Sequence, residues 1–228
     1  VYITEDIEQV KRILAGIVGY GRLGIAQDLV RERLHLVEAV RLDPTFVARV
    51  GKTYREKFTR MVDGVEVLPL VVLDTKPAVL ALENENDNSE ASAMMAALKQ
   101  GFAGLPVWLI GHLAKPNLSR SDVEGLTSRG ASAIEGDANQ TMFLIREGER
   151  RYLMLGKTRF EPKWRELEIT SRTATTLGIG EFGQTEVIDM RWGIAAPPLQ
   201  SRKQATEQAA ERAKQQEGTA LRQNILDA

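Results

Sequence analysis

The fold of this 228-residue chain is restricted most by one stretch, residues 68–116. An apolar run, Leu68–Leu73, ends on Asp74, and a second apolar run, Pro106–Ile110, ends on Gly111 and His112. Between the runs lie a polar loop and a segment whose apolar residues have helical spacing: Ala91, Met94, Met95, Leu98 and Phe102. The stretch therefore predicts a strand, a loop, a helix and a second strand, with polar residues where both strands end.

Both runs are apolar on successive residues, which is typical of parallel strands that are covered by helices. In such sheets ligands bind beyond the carboxyl ends of the strands, so Asp74 and His112 are expected on the same rim.

An Asp that closes a run such as Leu70–Leu73 is also the Walker B pattern, whose carboxylate holds Mg²⁺ beside the phosphates of a nucleotide. The alternative is an Asp that caps a helix or forms a turn.

The segments before this stretch continue the alternation of strands and helices. Strands are predicted at Val1–Thr4 and Leu34–Val40. Helices are predicted from Ile7 to near Gly19 and Gly21, at Leu23–Arg33, and from Asp43 and Pro44 to about Val62. Asp43 is a good cap residue before a proline in the first turn, and Gly64 is the expected stop of the third helix. This rhythm indicates a doubly wound α/β fold with a mainly parallel sheet flanked by helices.

Glu5 and Asp6 form a carboxylate pair where the first strand meets the first helix. Carboxylates at this place commonly cap the helix and complement its dipole. A general base at the rim of the sheet is the functional alternative. The spacing alone favours the cap.

The chain becomes more polar after His112. A loop of roughly 16 residues is predicted, longer than usual connections, and long loops in compact domains are often functional. A short helix is then expected at Ala131–Ala138, followed by a hairpin of Thr141–Arg146 and Arg151–Leu155, a strand at Leu167–Thr170 and a solvated helix at Ser201–Gln216.

Composition excludes several classes of protein. The chain has no cysteine, so disulfides and zinc–thiolate sites are excluded. No apolar run approaches the ~18 residues of a membrane span, and no signal peptide is present, so we expect a cytoplasmic protein without a membrane partner. The net charge of −1 gives no overall attraction to nucleic acid, and any basic surface has to be local.

The sequence has no phosphate-binding P-loop of the form G-x-x-x-x-G-K-[ST]. The second half of this motif, G-K-[ST], occurs twice, as Gly51-Lys52-Thr53 and as Gly156-Lys157-Thr158. The first glycine position is Phe46 in one case and Arg151 in the other, and both tripeptides lie inside predicted regular elements. Neither can form the glycine-rich turn that directs backbone N–H groups at phosphates.

An ordered set of motifs resembles the RecA-like ATPases, and most closely the hexameric replicative helicases of the plasmid RepA type. The motifs are VYITED from Val1, LVVLDT from Leu70, ENEND from Glu83, LIGHLAKP from Leu109, RGASAIEGDAN from Arg129 and GKTRF from Gly156. The likeness covers residues 1–172 as an ATPase core without its Walker A strand and loop, and leaves 173–228 as a C-terminal extension with a helix. It implies a P-loop just before Val1, so the sequence is expected to be truncated there and the chain alone inactive.

The resemblance implies a role for each matching residue. Glu5 resembles the catalytic glutamate that polarises the attacking water, Asp74 the Walker B ligand of Mg²⁺, and His112 the sensor of the ATP γ-phosphate. Lys157 and Arg159 resemble the pair that reaches a neighbouring subunit's nucleotide. As alternatives, His112 is an ordinary histidine at a strand end, and Lys157 and Arg159 lie on a solvated strand face.

The loop from Ala114 to Arg129 resembles the channel loop that contacts single-stranded DNA, through Lys115, Arg120 and Arg129. Three charges without an aromatic residue are a small footprint for nucleic acid. The expected function is the ATP-driven motor of a ring-forming replication helicase. The alternatives are a RecA-like ATPase in recombination or regulation, and a non-catalytic module that binds partners.

Overall fold

A computed structural model describes residues 1–20, 27–38, 41–113, 126–127, 130, 132–147, 150–179, 185–196, 207, 211–212 and 215. The strands are β1 (Tyr2–Thr4), β2 (Leu36–Glu38), β3 (Arg60–Val62), β4 (Val65–Val67), β5 (Val71–Asp74), β6 (Val107–Ile110), β7 (Gln140–Glu147), β8 (Arg150–Thr158), β9 (Glu166–Ile179) and β10 (Thr185–Ala196). The helices are α1 (Ile7–Tyr20), α2 (Gln27–Arg33), α3 (Pro44–Phe58), α4 (Lys76–Val79), α5 (Asn88–Gly101) and α6 (Ser132–Asp137). Among these residues, no helix combines the length and hydropathy needed to cross a membrane.

The four predicted strands form one parallel sheet in the order β2-β1-β5-β6. Ile3 lies beside Leu73, and Leu73 lies beside Leu109, so these residues share one face. That face belongs to the hydrophobic core, together with residues of α3 and α5 such as Val47 and Leu98. The predicted α/β fold with a parallel sheet is confirmed, and the strands are shorter than the apolar runs that predicted them.

The predicted helix from Pro44 to about Val62 is wrong at its end. α3 ends at Phe58, because Thr59 adopts an extended backbone as the C-cap. The next residues form the antiparallel hairpin β3–β4, whose turn contains Asp63 and Gly64 with φ of 51° and 78°. Asp-Gly between short strands is a strong hairpin signal, and the helical apolar spacing upstream concealed it.

A second sheet has the order β10-β9-β8-β7, and the predicted hairpin of β7 and β8 is confirmed. The strand predicted at Leu167–Thr170 is the first part of the longer β9. β10 lies within residues 173–228, where only a C-terminal extension with a helix was predicted. In the predicted helix at Ser201–Gln216, the residues that the structure describes are helical, and the others lie outside its description.

Contacts divide the chain into two compact units. The first comprises Val1–Ala114, Thr127–Ala138 and Arg172–Trp192, and the second comprises Lys115–Leu126, Asn139–Ser171 and Gly193–Ala228. The division into a core of residues 1–172 and an extension of 173–228 stays a prediction.

Gly51, the first glycine of a misleading G-K-T tripeptide, has a packing role inside α3. A Cβ on Gly51 would lie 1.7 Å from the carbonyl oxygen of Gly101 in α5. A Cβ on Gly101 would in turn lie 2.8 Å from the backbone nitrogen of Ala48. The two helices therefore cross backbone to backbone, and only glycine fits at the crossing.

We expect Gly51→Ala to destabilise the fold by about 3 kcal/mol or more, because the new methyl group collides with backbone that cannot change rotamer. For a chain of this size the melting temperature should fall by roughly 6–12 °C, as measured by circular dichroism. Gly136→Ala in α6 is the matched control, since a Cβ at Gly136 meets nothing within 4 Å. Equal melting temperatures for the two variants would contradict the close crossing.

Candidate nucleotide site at the sheet rim

The carboxyl ends of β1, β5 and β6 lie side by side. Thr4 pairs with Asp74, and Asp74 pairs with Ile110. Glu5 follows Thr4 by one residue, and His112 follows Ile110 by two. Because the strands are parallel and adjacent, the structure brings Glu5, Asp74 and His112 to one rim, as predicted from the places where the apolar runs end.

Asp74 ends a buried strand and is itself half-buried. The hydroxyl of Tyr2, on the neighbouring strand, donates a hydrogen bond to Asp74 Oδ2. Burial, and then the bond to the Asp74 carboxylate and its charge, raise the pKa of Tyr2 above its ordinary value. Tyr2 therefore remains a neutral donor at physiological pH, and Asp74 is held in place by a partner that the sequence reasoning did not identify.

Of the two carboxylates Glu5 and Asp6, Asp6 has the predicted role of capping α1. Its Oδ1 accepts a hydrogen bond of 2.9 Å from the backbone nitrogen of Gln9, and its own backbone nitrogen donates to Thr4 Oγ1 at 3.2 Å. Glu5 is exposed at the end of β1. Since Asp6 caps α1, helix capping does not explain Glu5.

His112 is exposed just beyond β6. Gly111, directly before it, lies against the aliphatic chain of Lys76, the first residue of α4. Lys76 is 3% exposed although it is a lysine two residues after Asp74. Sequence reasoning missed Lys76, because a lysine in a first helical turn is normally solvated.

Lys157 and Arg159 lie at the end of β8 and just beyond it, in the second unit, and both are exposed. Their backbone is fixed, since Lys157 N donates to Thr141 Oγ1 at 2.8 Å and Arg159 N donates to the Asn139 carbonyl at 3.2 Å. Phe160 follows with 77% of its surface exposed, held by two hydrogen bonds between its backbone and Thr158 Oγ1. Phe160 was not predicted as a functional residue, because a single apolar residue at the surface is common and carries no signal of its own.

The three candidate DNA-binding residues, Lys115, Arg120 and Arg129, lie outside the described residues. The structure describes the residues at the ends of their loop, up to Leu113 on one side and Gly130 on the other.

Among the described residues, no group of three or more His, Cys, Asp or Glu side chains could enclose a metal ion. The rim instead offers two carboxylates, Asp74 at the end of β5 and Glu5 just beyond β1. Mg²⁺ in nucleotide sites usually takes one or two carboxylates, several waters and phosphate oxygens, and such a hard cation suits an oxygen ligand. Asp74 at the rim therefore fits Mg²⁺ that arrives with a nucleotide, and does not fit a metal bound by protein alone.

The chain is similar to known proteins in part of its sequence and in its fold. Residues 5–117 match the family described as AAA domain. The chain is similar in structure to a DnaB-like replicative helicase, solved with its interactions with primase, with a TM-score of 0.55 and 16% identity over 74% of this chain and 47% of that one. A RadB recombinase gives a TM-score of 0.45 and 17% identity over 80% of this chain and 76% of that one. No curated protein matches.

The chain spans about half the length of the helicase that it matches. The fold is that of a RecA-like core with additional antiparallel strands.

Proposed function

We propose that the chain is the ATP-hydrolysing motor core of a DNA replication helicase that forms a ring hexamer on single-stranded DNA. The observation that supports this most is the rim, where Glu5, Asp74 and His112 follow the ends of adjacent parallel strands. The similar helicase structure and the motif set of the plasmid RepA type point to the same function. The proposal includes a cytoplasmic location.

At this rim each residue has a distinct part in phosphoryl transfer. Asp74 would hold Mg²⁺, and the ion would supply positive charge that stabilises the phosphates of the nucleotide. Glu5 is exposed one residue beyond β1, and it orients and polarises the attacking water. His112 reports whether the γ-phosphate is present. The Tyr2 hydroxyl keeps the Asp74 carboxylate in a fixed orientation until Mg²⁺ binds.

The phosphates also need a P-loop, which the 228 residues do not contain. We propose that a P-loop strand and helix precede Val1 in the active protein. A protein with this addition is called the P-loop form below. Lys115, Arg120 and Arg129 would contact DNA phosphates, which is a sequence-independent interaction suited to a translocating motor.

Lys157 and Arg159 would act on the nucleotide of the next subunit. Their exposure and their fixed backbone suit a contact with another molecule. Phe160 extends this contact, because an exposed aromatic ring beside two cations suits a desolvated interface. A head-to-tail ring gives every subunit such a neighbour.

The test is hydrolysis of ATP by the P-loop form, measured with and without oligothymidine, together with unwinding of a forked duplex. We expect hydrolysis that single-stranded DNA stimulates, and ATP-dependent unwinding. DNA-stimulated hydrolysis without unwinding would favour a RecA-like ATPase in recombination or regulation. A P-loop form that binds no nucleotide would indicate a non-catalytic module.

A further inference from the structure

A cavity of about 330 Å³ lies at the amino end of the parallel sheet, at the opposite end of the strands from Asp74. Val1 and Leu70, which come directly before β1 and β5, are among its lining residues. The backbone there is already paired, since the Val1 amine donates to the Leu70 carbonyl at 2.7 Å and Val72 N donates to the Val1 carbonyl at 2.8 Å. The volume is in the range of small-ligand pockets, and any selectivity has to come from the side chains around it.

One wall of this cavity is the β3–β4 hairpin. Arg60, Val62 and Val67 line the cavity, whereas Met61 and Glu66 do not. The division follows from the register, because Arg60 pairs with Val67 and Met61 pairs with Glu66, and successive pairs point to opposite faces. Val62 and Val67 keep 43% and 45% of their surface exposed. Since a two-stranded hairpin is marginally stable alone, an apolar face that it turns toward a cavity indicates a surface that a ligand covers.

The other residues that line the cavity are mostly apolar as well. They include Leu34, Phe58 and Leu68. The ring of Phe58 is held by His35, with 5.0 Å between the two ring centroids. Burial, and then the charges of Lys57 and of the amino terminus, lower the pKa of His35, so its ring is neutral at physiological pH. The walls therefore suit an apolar body of about the size of an aromatic ring system.

The charged side chains that line the cavity are two arginines and one glutamate. Glu32 Oε1 lies 3.3 Å from Arg33 Nε and 4.0 Å from Arg60 Nη1. One carboxylate shared by two guanidinium groups leaves an excess positive charge, and each guanidinium has five N–H donors. All three side chains are about half exposed, and ion pairs at such exposure are weak. An incoming carboxylate can therefore compete with Glu32 for both arginines.

We propose that this cavity, called the hairpin cavity below, binds a small amphipathic acid. The apolar, ring-sized body of the acid lies against Val62 and Val67, and its carboxylate lies between Arg33 and Arg60. Guanidinium groups suit this part because their planar fork matches a carboxylate in two parallel hydrogen bonds. The hairpin cavity uses none of the catalytic residues proposed for the nucleotide rim, so its test does not depend on the proposed function.

The first experiment uses two fluorescent dyes that differ in charge, titrated into the present chain. Anilinonaphthalene sulfonate has an apolar ring body and one anionic group, and N-phenylnaphthylamine has the same rings without the anion. We expect one sulfonate dye per chain, bound about 5-fold more tightly than the neutral dye or better. Equal affinity for the two dyes, or many weak sites per chain, overturns the proposal.

Arg60→Met separates the anion from the apolar body, because it keeps an aliphatic chain and removes the charge. We expect it to weaken the sulfonate dye about 5-fold, the upper end for an exposed ion pair, and to leave the neutral dye unchanged. Arg31→Met is the control, at an exposed arginine of α2 that does not line the cavity. Unchanged affinity for the sulfonate dye in Arg60→Met, or an equal loss for both dyes, overturns the role of the arginines.

Val67→Trp tests the place of the apolar body, because the larger ring fills the cavity from the hairpin. We expect both dyes to lose their binding. Met61→Trp is the matched control on the opposite face of the hairpin, where the side chain is 67% exposed, and it should bind both dyes as the wild type does. Circular dichroism verifies the fold, and Val62→Trp replaces Val67→Trp if the latter is unfolded. Binding that persists in the filled variant, or an equal loss in Met61→Trp, overturns the site.

Competition and sedimentation decide between the remaining occupants. Naphthoate should displace the sulfonate dye about 5-fold better than neutral naphthalenemethanol, because only the acid can bind the arginines. Equal displacement overturns the assignment of a carboxylate. Sedimentation velocity of the wild type and of Val67→Trp should show the same species. A wild-type dimer that Val67→Trp dissociates would show that a second copy of the chain covers the hairpin, and would overturn the small-molecule site.

Discussion

Asp74→Asn in the P-loop form is expected to lower steady-state ATP turnover by about 10²-fold or more. The substitution keeps the size of the side chain and removes the negative charge that would hold Mg²⁺ beside the phosphates. Glu5→Gln is expected to lower turnover by about 10²-fold or more, because an amide cannot polarise the attacking water. Phosphate release under saturating ATP measures both effects, and circular dichroism establishes that the variants are folded.

Matched substitutions away from the rim serve as controls. Asp63→Asn lies in the β3–β4 turn, and Glu66→Gln lies exposed on β4. Both make the same chemical change as the rim variants, so turnover near that of the wild type is expected. If Asp74→Asn and Glu5→Gln also leave hydrolysis unchanged, the rim is not the catalytic site. If only one of them does, the role of that residue alone is wrong.

Arg159→Ala in the P-loop form is expected to leave ATP binding largely intact and to cut hydrolysis about 10³-fold or more, as for arginine fingers in other phosphoryl-transfer enzymes. The guanidinium would stabilise charge that develops on the transferred phosphoryl group, and ground-state binding depends on it less. A fluorescent ATP analogue measures binding, and phosphate release measures hydrolysis. Arg31→Ala, at an exposed arginine on α2, is the control.

Mixing Arg159→Ala with Asp74→Asn tests whether the arginine acts in trans. Mixed rings contain some interfaces that have an intact Asp74 on one side and an intact Arg159 on the other. Hydrolysis should therefore be partly rescued after subunit exchange, which mass analysis of the rings can verify. If exchange is complete and activity stays at the level of the separate variants, Arg159 contacts its own subunit or lies on a solvated face.

The parallel sheet could be predicted because its strands leave a direct mark on the sequence. A strand covered by helices is apolar at successive residues, and its end is marked by the first polar residue, as at Asp74 and His112. The first polar residue after each apolar run therefore predicts the rim of the sheet as well as the strands. The β3–β4 hairpin was missed because Met61 and Val62 continue the apolar spacing of α3, although Asp63-Gly64 favours a turn.

Other features depend on distant contacts and have no local signal. Lys76 is buried near Gly111 and Gly130, which come 35 and 54 residues later in the chain. The hydrogen bond from Tyr2 to Asp74 joins residues 72 positions apart. β10 was missed because the Ala- and Gln-rich residues that follow it suggested a helical extension for the whole C-terminal region.

The crossing at Gly51 and Gly101 has a mechanical consequence for the core. Side chains between two helices can change rotamer and let the helices slide, whereas two backbones in contact have no such adjustment. α3 and α5 therefore behave as one rigid pair of helices packed against the sheet. Because α5 connects β5 to β6, this rigid pair fixes the spacing of the two strands that carry Asp74 and His112.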